Sequence, residues 1–243
     1  MTMITQSISR ALLVTILTIS VQAGTRVWNG GTGDWFAGGN WDTGVPTNGD
    51  SAVINGGTVT LTNSTAGLSS FTMGGGTLIF SNWTTKVTAT NIFMTGGTMA
   101  LPVPFANGEM SNRIWIACLD LFVGSGATIS ANTNGYVGGL NNESGHGPGG
   151  GGWNSYSSGG GYGGRGGKPA TTYAATLAGI VYGSTSDPNL PGSGGGVGNN
   201  AAKRAGSGGG TIKIDAGGTV TVNGTITANG DNAPTDSLNR FGA

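Results

Sequence analysis

The chain has 243 residues, with 10 basic and 10 acidic side chains, one His and one Cys. Charged residues make up 8% of it, against roughly a quarter in ordinary soluble domains, and Gly supplies 51 positions. This excludes an electrostatic nucleic-acid binder, because Lys203-Arg204 is the densest basic spot and a phosphate backbone requires a concentrated basic face. It also argues against a cytosolic enzyme.

Residues 1–23 have the three-part form of a secretory signal peptide. A polar start containing Arg10 precedes the apolar run Ala11-Leu12-Leu13-Val14-Thr15-Ile16-Leu17-Thr18-Ile19-Ser20-Val21, and Val21-Gln22-Ala23 places small residues before a cut after Ala23. The apolar run is shorter than the ~20 residues of a permanent span, and no later stretch approaches one. The mature chain is expected to begin at Gly24 and to be secreted or held at the cell surface, with no membrane span after cleavage.

A turn-strand unit then recurs. Gly56-Gly57-Thr58 precedes Val59-Thr60-Leu61, Gly75-Gly76-Thr77 precedes Leu78-Ile79-Phe80, and Gly96-Gly97-Thr98 precedes Met99-Ala100-Leu101. Gly209-Gly210-Thr211 and Gly217-Gly218-Thr219 open similar units before Ile212-Lys213-Ile214 and Val220-Thr221-Val222. Such short strands cannot bury an apolar face alone, so a period near 20 residues predicts stacked rungs of an all-β solenoid, with a β-sandwich as the alternative. Alternation assigns Val59, Leu61, Leu78, Phe80, Met99, Leu101, Ile114, Ile116, Cys118, Ile212, Ile214, Val220, Val222 and Ile226 to the interior.

Gly makes up about a third of residues 138–210. So few apolar side chains cannot build a conventional core there. The segment is expected to be partly ordered, its glycines permitting close backbone approach and positive φ, with Trp153, Tyr156, Tyr162, Tyr173 and Tyr182 pinning it. Its flanks, Ala127-Thr128-Ile129-Ser130-Ala131-Asn132 and Gly224-Thr225-Ile226-Thr227-Ala228-Asn229-Gly230, resemble each other and are predicted to stack. The expected organisation is a signal peptide over 1–23, an N-terminal cap and rungs over 24–137, a glycine-rich insertion over 138–210, and further rungs over 211–243.

Trp28-Asn29-Gly30-Gly31-Thr32-Gly33-Asp34-Trp35, Asn40-Trp41, Gly44-Val45-Pro46 and Asn48-Gly49-Asp50-Ser51-Ala52-Val53-Ile54 resemble the opening segment of bacterial autotransporter-like surface proteins. Gly160-Gly161-Tyr162-Gly163-Gly164-Arg165-Gly166-Gly167, Leu190-Pro191-Gly192-Ser193-Gly194-Gly195-Gly196 and Thr219–Gly230 are similar to glycine-rich modules of large, adhesin-like surface proteins. The resemblance implies a right-handed parallel β-helix with an adhesive or matrix-associated role and no catalytic residues. The absence of a translocator barrel or sorting motif after Gly230 departs from the family pattern and reads as a fragment or a released protein.

The residues themselves suggest no enzyme, cofactor or metal. A β-helical polysaccharide lyase or hydrolase needs clustered acids; the best candidates, Asp120, Lys213 and Asp215, read more simply as outward strand residues. His146 lies among glycines without a nucleophile elbow, and Cys118 reads as a small buried hydrophobe. Thr58/Thr60, Thr219/Thr221 and Thr225/Thr227 are similar to threonine ranks of ice-binding solenoids, a minor alternative. Trp28, Trp35 and Trp41 are candidates for stacking on sugars or for capping the first rung. The expected partners are carbohydrate, matrix or cell-surface molecules, or a second copy through the solenoid ends.

Overall fold

The computed structural model describes residues 23–106, 108–154, 156–168, 178–198 and 203–234. Residues 1–22 and Tyr173 lie outside them, and with these the signal-peptide reading. The described residues form nine strands: β1 (Thr25–Val27), β2 (Thr32–Asp34), β3 (Ser51–Leu61), β4 (Gly67–Phe80), β5 (Val87–Ala100), β6 (Ile114–Ser130), β7 (Ile212–Ala216), β8 (Val220–Val222) and β9 (Thr225–Thr227). One short 3₁₀ turn, Gly38–Asn40, separates β2 from β3. The protein is all-β.

Every ladder between these strands is parallel, in the order β1-β3-β4-β5-β6-β7, with β2 on β3 and with β8 and β9 on β6. The antiparallel neighbours expected of a β-sandwich are not seen among these ladders. Successive strands therefore lie as layers about 4.8 Å apart, each repeating its predecessor in register. The two flanks of the glycine-rich segment pair, Thr128 with Thr225, Ile129 with Ile226 and Ser130 with Thr227, as their shared sequence predicts.

Apolar alternation supplies the core. Val59, Leu78, Met99, Ile129 and Ile226 form one inward column, Ala52, Phe71, Ile92, Leu121 and Val220 a second, and Ile54, Met73, Met94, Val123 and Val222 a third. All but the last member of each column are buried. Ile212, Ile214, Ile226 and Cys118 are half-buried and pack against this core. Val220 and Val222, expected inside, are 46% and 43% exposed. The reason is positional: β6 covers one side of their layer, and no described strand covers the other.

The corners within β3, β4 and β5 turn on a glycine. Gly57, Gly76 and Gly97 have φ of +79°, +76° and +78°, a region that an L side chain enters at a cost. They also touch the layer below: a Cβ on Gly76 would lie 2.6 Å from the Gly57 carbonyl oxygen, and one on Gly97 2.8 Å from Gly75 backbone atoms.

The glycine-rich segment packs by a different rule. The amides of Gly194, Gly195 and Gly196 donate in turn to the carbonyls of His146, Gly206 and Ser158, at 3.0, 2.9 and 2.9 Å. Partners return every third residue: Gly192 donates to Gly209 and Gly195 to Gly206, while Tyr136 donates to Gly192 and Gly139 to Gly195. A three-residue repeat of partners is the periodicity of polyproline II, and here the backbone groups bond to several neighbouring segments. A Cβ on Gly194 would fall on the Val137 carbonyl, and one on Gly208 on the Gly192 carbonyl.

Close approach is thus the main requirement on these glycines. Positive φ, also expected, occurs within the described part of 138–210 at Gly147 and Gly183, beside the non-Gly residues Asn141 and Asn142. Tyr162 and Tyr182 pack edge to face with centroids 5.1 Å apart, whereas Trp153 and Tyr156, expected to pin the segment, are exposed.

Gly76→Ala should destabilise the chain by about 1–3 kcal/mol, from the left-handed φ and the blocked layer contact together. Gly38→Ala is the control, since nothing lies within 4 Å of its Cβ position. Thermal unfolding of the two variants checks this; equal melting temperatures would remove the corner from the account.

Candidate functional site

Trp28, Trp35 and Trp41 are brought together at the first layer. Trp28 and Trp41 meet edge to face at 5.3 Å and Trp35 and Trp41 at 4.8 Å, while Trp35 reaches Phe71 at 6.0 Å. The Trp41 indole N–H donates to the Trp35 carbonyl at 2.7 Å. All three side chains are buried in the main apolar core, and none presents an open ring face to a sugar.

Asp50 ties this end together. Its side chain is fully buried, accepting from the Gly24 amide at 2.7 Å, the Thr47 amide at 2.8 Å and the Thr47 hydroxyl at 2.9 Å, with Arg26 Nε at 3.2 Å. Burial alone would raise the carboxyl pKa, but the hydrogen bonds from Gly24, Thr47 and Arg26 outweigh it and bring it down to about 2.

The outer aromatic surface belongs instead to Trp115 and Trp83, which are far apart in sequence from the N-terminal tryptophans. Trp115 lies on β6 between the inward Ile114 and Ile116, opposite Lys213 on β7. Lys86 Nζ, Arg113 Cζ and Lys213 Nζ sit 5.1, 4.3 and 4.7 Å from its ring centroid, and Arg113 also lies 4.8 Å from the Trp83 ring. The Trp115 indole N–H donates to Asp215 at 2.7 Å, and Asp215 is 3.5 Å from Lys213. The signal in the sequence was the alternation itself, which places Trp115 and Lys213 on the outside.

Of the three residues considered for catalysis, Lys213 and Asp215 meet in this cluster. Asp120 instead accepts from the Thr219 amide at 2.7 Å. Cys118 has its thiol pKa raised, by burial and by the Asp120 charge, which makes it a poor nucleophile. His146 is 3.1 Å from Glu143, whose carboxyl is held low by that hydrogen bond. Among the described residues no group of three His, Cys, Asp or Glu is placed to hold a metal, and no helix is long and apolar enough to cross a membrane.

A cavity of about 690 Å³ opens between the glycine-rich segment and the last layer. Ile212, Ile214, Ile226 and Leu190 line it with glycine backbone, and Tyr162, Ser193, Ser207, Thr211 and Thr227 are its hydroxyl-bearing residues. Ser193 receives the Gly149 amide and donates to Tyr182, whose phenol is pushed up to about 12, chiefly by burial. Among the described residues that line the cavity there is no Asp, Glu, His, Cys, Lys or Arg.

The layers also assemble a threonine column that the sequence pairs only hinted at. Thr32, Thr58, Thr77, Thr98, Thr128 and Thr225 follow one another in register. The neighbouring outward column is mixed, running through Asp34, Thr60, Ile79, Ala100, Ser130 and Thr227.

The fold and surface together define an all-β protein of stacked parallel strands. No family model, curated protein or solved structure matches the chain.

The low Asp50 pKa carries a sign. A carboxyl whose folded pKa lies below its unfolded value of ~3.9 contributes stability above that value and loses it as pH falls toward 2. Melting temperatures of the wild type and Asp50→Asn should therefore differ at neutral pH and converge near pH 2; a constant gap would contradict the assignment.

Proposed function

We propose that this chain is an exported structural or adhesive module, a right-handed parallel β-solenoid resembling autotransporter-like surface proteins, that makes weak multivalent contacts with carbohydrate or partner surfaces. The observation that carries this reading is the outward face: register repeats one set of polar side chains layer after layer, the threonine column being the clearest case. A repeated surface suits avidity, where many weak contacts act as one. Residues 1–23 support export, and the parallel layers, interrupted at glycine corners, support the solenoid. The edge of β7, β8 and β9, on which no described strand pairs, supports self-association at that end.

The unbroken threonine column also favours a second reading, an ice-binding face. The mixed neighbouring column, with Asp34 and Ile79 in it, weighs against a uniform lattice of hydroxyls and methyls.

Incubation of the mature chain with a panel of insoluble and soluble polysaccharides separates adhesion from catalysis. The expected result is retention on at least one polymer with no release of sugar and no thermal hysteresis in solution. Turnover abolished by Asp215→Asn or Asp120→Asn would replace the adhesive reading with an enzymatic one, and hysteresis lost in Thr98→Lys would replace it with ice binding.

A further inference from the structure

We propose that the outward face around Trp115 is an anion site that takes the carboxylate or sulfate groups of an acidic polysaccharide, an inference that rests on the carbohydrate-contact reading. Three of the ten basic residues of a chain with no net charge converge on one indole ring, from three different layers and turns. Among the described residues one carboxylate, Asp215, is paired with them, and it is shared between Lys213 and the Trp115 N–H.

The ring explains how such a cluster persists. A cation over an aromatic face is stabilised by the ring quadrupole, yet it keeps its whole charge, whereas a carboxylate would neutralise it. Trp115 is therefore a positioning residue: it gathers Lys86, Arg113 and Lys213, and with Asp215 set against Lys213 the cluster keeps two uncompensated positive charges for a ligand. Arg113 adds an independent sign of incompleteness, because its Nε is buried without a hydrogen-bond partner while its guanidinium lies between the Trp83 and Trp115 rings. Contrast Arg26, the basic residue of the cap, which is bound to the buried Asp50.

A shallow groove shares Asp215 with this cluster, and Gly67, Thr88, Ala117 and Leu119 are among the residues that line it. Small side chains such as Gly67 and Ala117 leave room for an extended polymer beside the cations. A single-stranded nucleic acid would need free aromatic faces for its bases, and three cations within 5.1 Å of the centroid crowd Trp115. An acidic sugar chain needs only regularly placed charges.

The test is binding of the mature chain to immobilised dextran sulfate, polygalacturonate and neutral dextran, at low and high salt. The two acidic polymers should bind in a salt-sensitive way and neutral dextran should not. Lys86→Gln/Lys213→Gln should weaken acidic-polymer binding about tenfold or more, with an unchanged thermal melt, and Lys168→Gln should leave it unaltered. Trp115→Leu should weaken it comparably while Lys86 and Lys213 are still present, a result that simple charge counting would not give. Equal binding of neutral and acidic polymers, or an unaffected double variant, would overturn the site, as would stronger competition from single-stranded DNA than from free dextran sulfate. Retention on neutral polymers that ignores the double variant would sink this site and leave the adhesive reading standing, whereas retention on no polymer at all would remove both.

Discussion

A Cβ atom is the smallest side chain that L-amino acids other than glycine carry, and much of this molecule is arranged around its absence. At Gly57, Gly76 and Gly97 the missing atom lets the chain turn with positive φ while the corner of one layer rests on the backbone of the layer below. Within 138–210 the same absence lets extended segments exchange backbone hydrogen bonds on several sides at once. In the first case glycine punctuates an apolar core. In the second the peptide group itself is what packs, and hydrogen bonds satisfy groups that would otherwise be buried without partners.

The two modes depend on each other. The layered strands have a side-chain core of Val, Ile, Leu, Met and Phe closed at one end by three tryptophans. Among the described residues of the glycine-rich segment the buried apolar cluster is the small pair Val197 and Ala205. It leaves the layers after β6 and returns to them at β7, so that Gly135 and Gly208, or Thr133 and Asn229, are hydrogen-bonded across its base. The strand flanks thus fix both ends of a segment whose own apolar burial is slight.

Local repetition made much of the layered part legible. Gly-Gly-Thr followed by alternation located Thr58, Thr77 and Thr98, which share a column, and the resemblance between the flanks located the Thr128–Thr225 pairing. Val220 and Val222 follow the same alternation, but burial also requires a covering neighbour, and alternation carries no information about that. The packing partners of Gly194 to Gly196 were illegible for a different reason: a backbone-to-backbone contact leaves only another glycine in the sequence. The Trp115 cluster joins residues 86, 113, 115 and 213 through register, so it emerges only once the layers are aligned, whereas the clustered Trp28, Trp35 and Trp41 drew attention by proximity and turn inward.

Backbone packing through absent side chains makes a direct claim about protection. Amide hydrogen exchange of the mature chain, resolved by residue, should find Gly194, Gly195, Gly196 and Gly208 protected to a degree comparable with the amides of β5, and Gly194→Ala should abolish that protection while sparing β5. Exchange of these glycine amides at the rate of an unstructured chain would contradict the account.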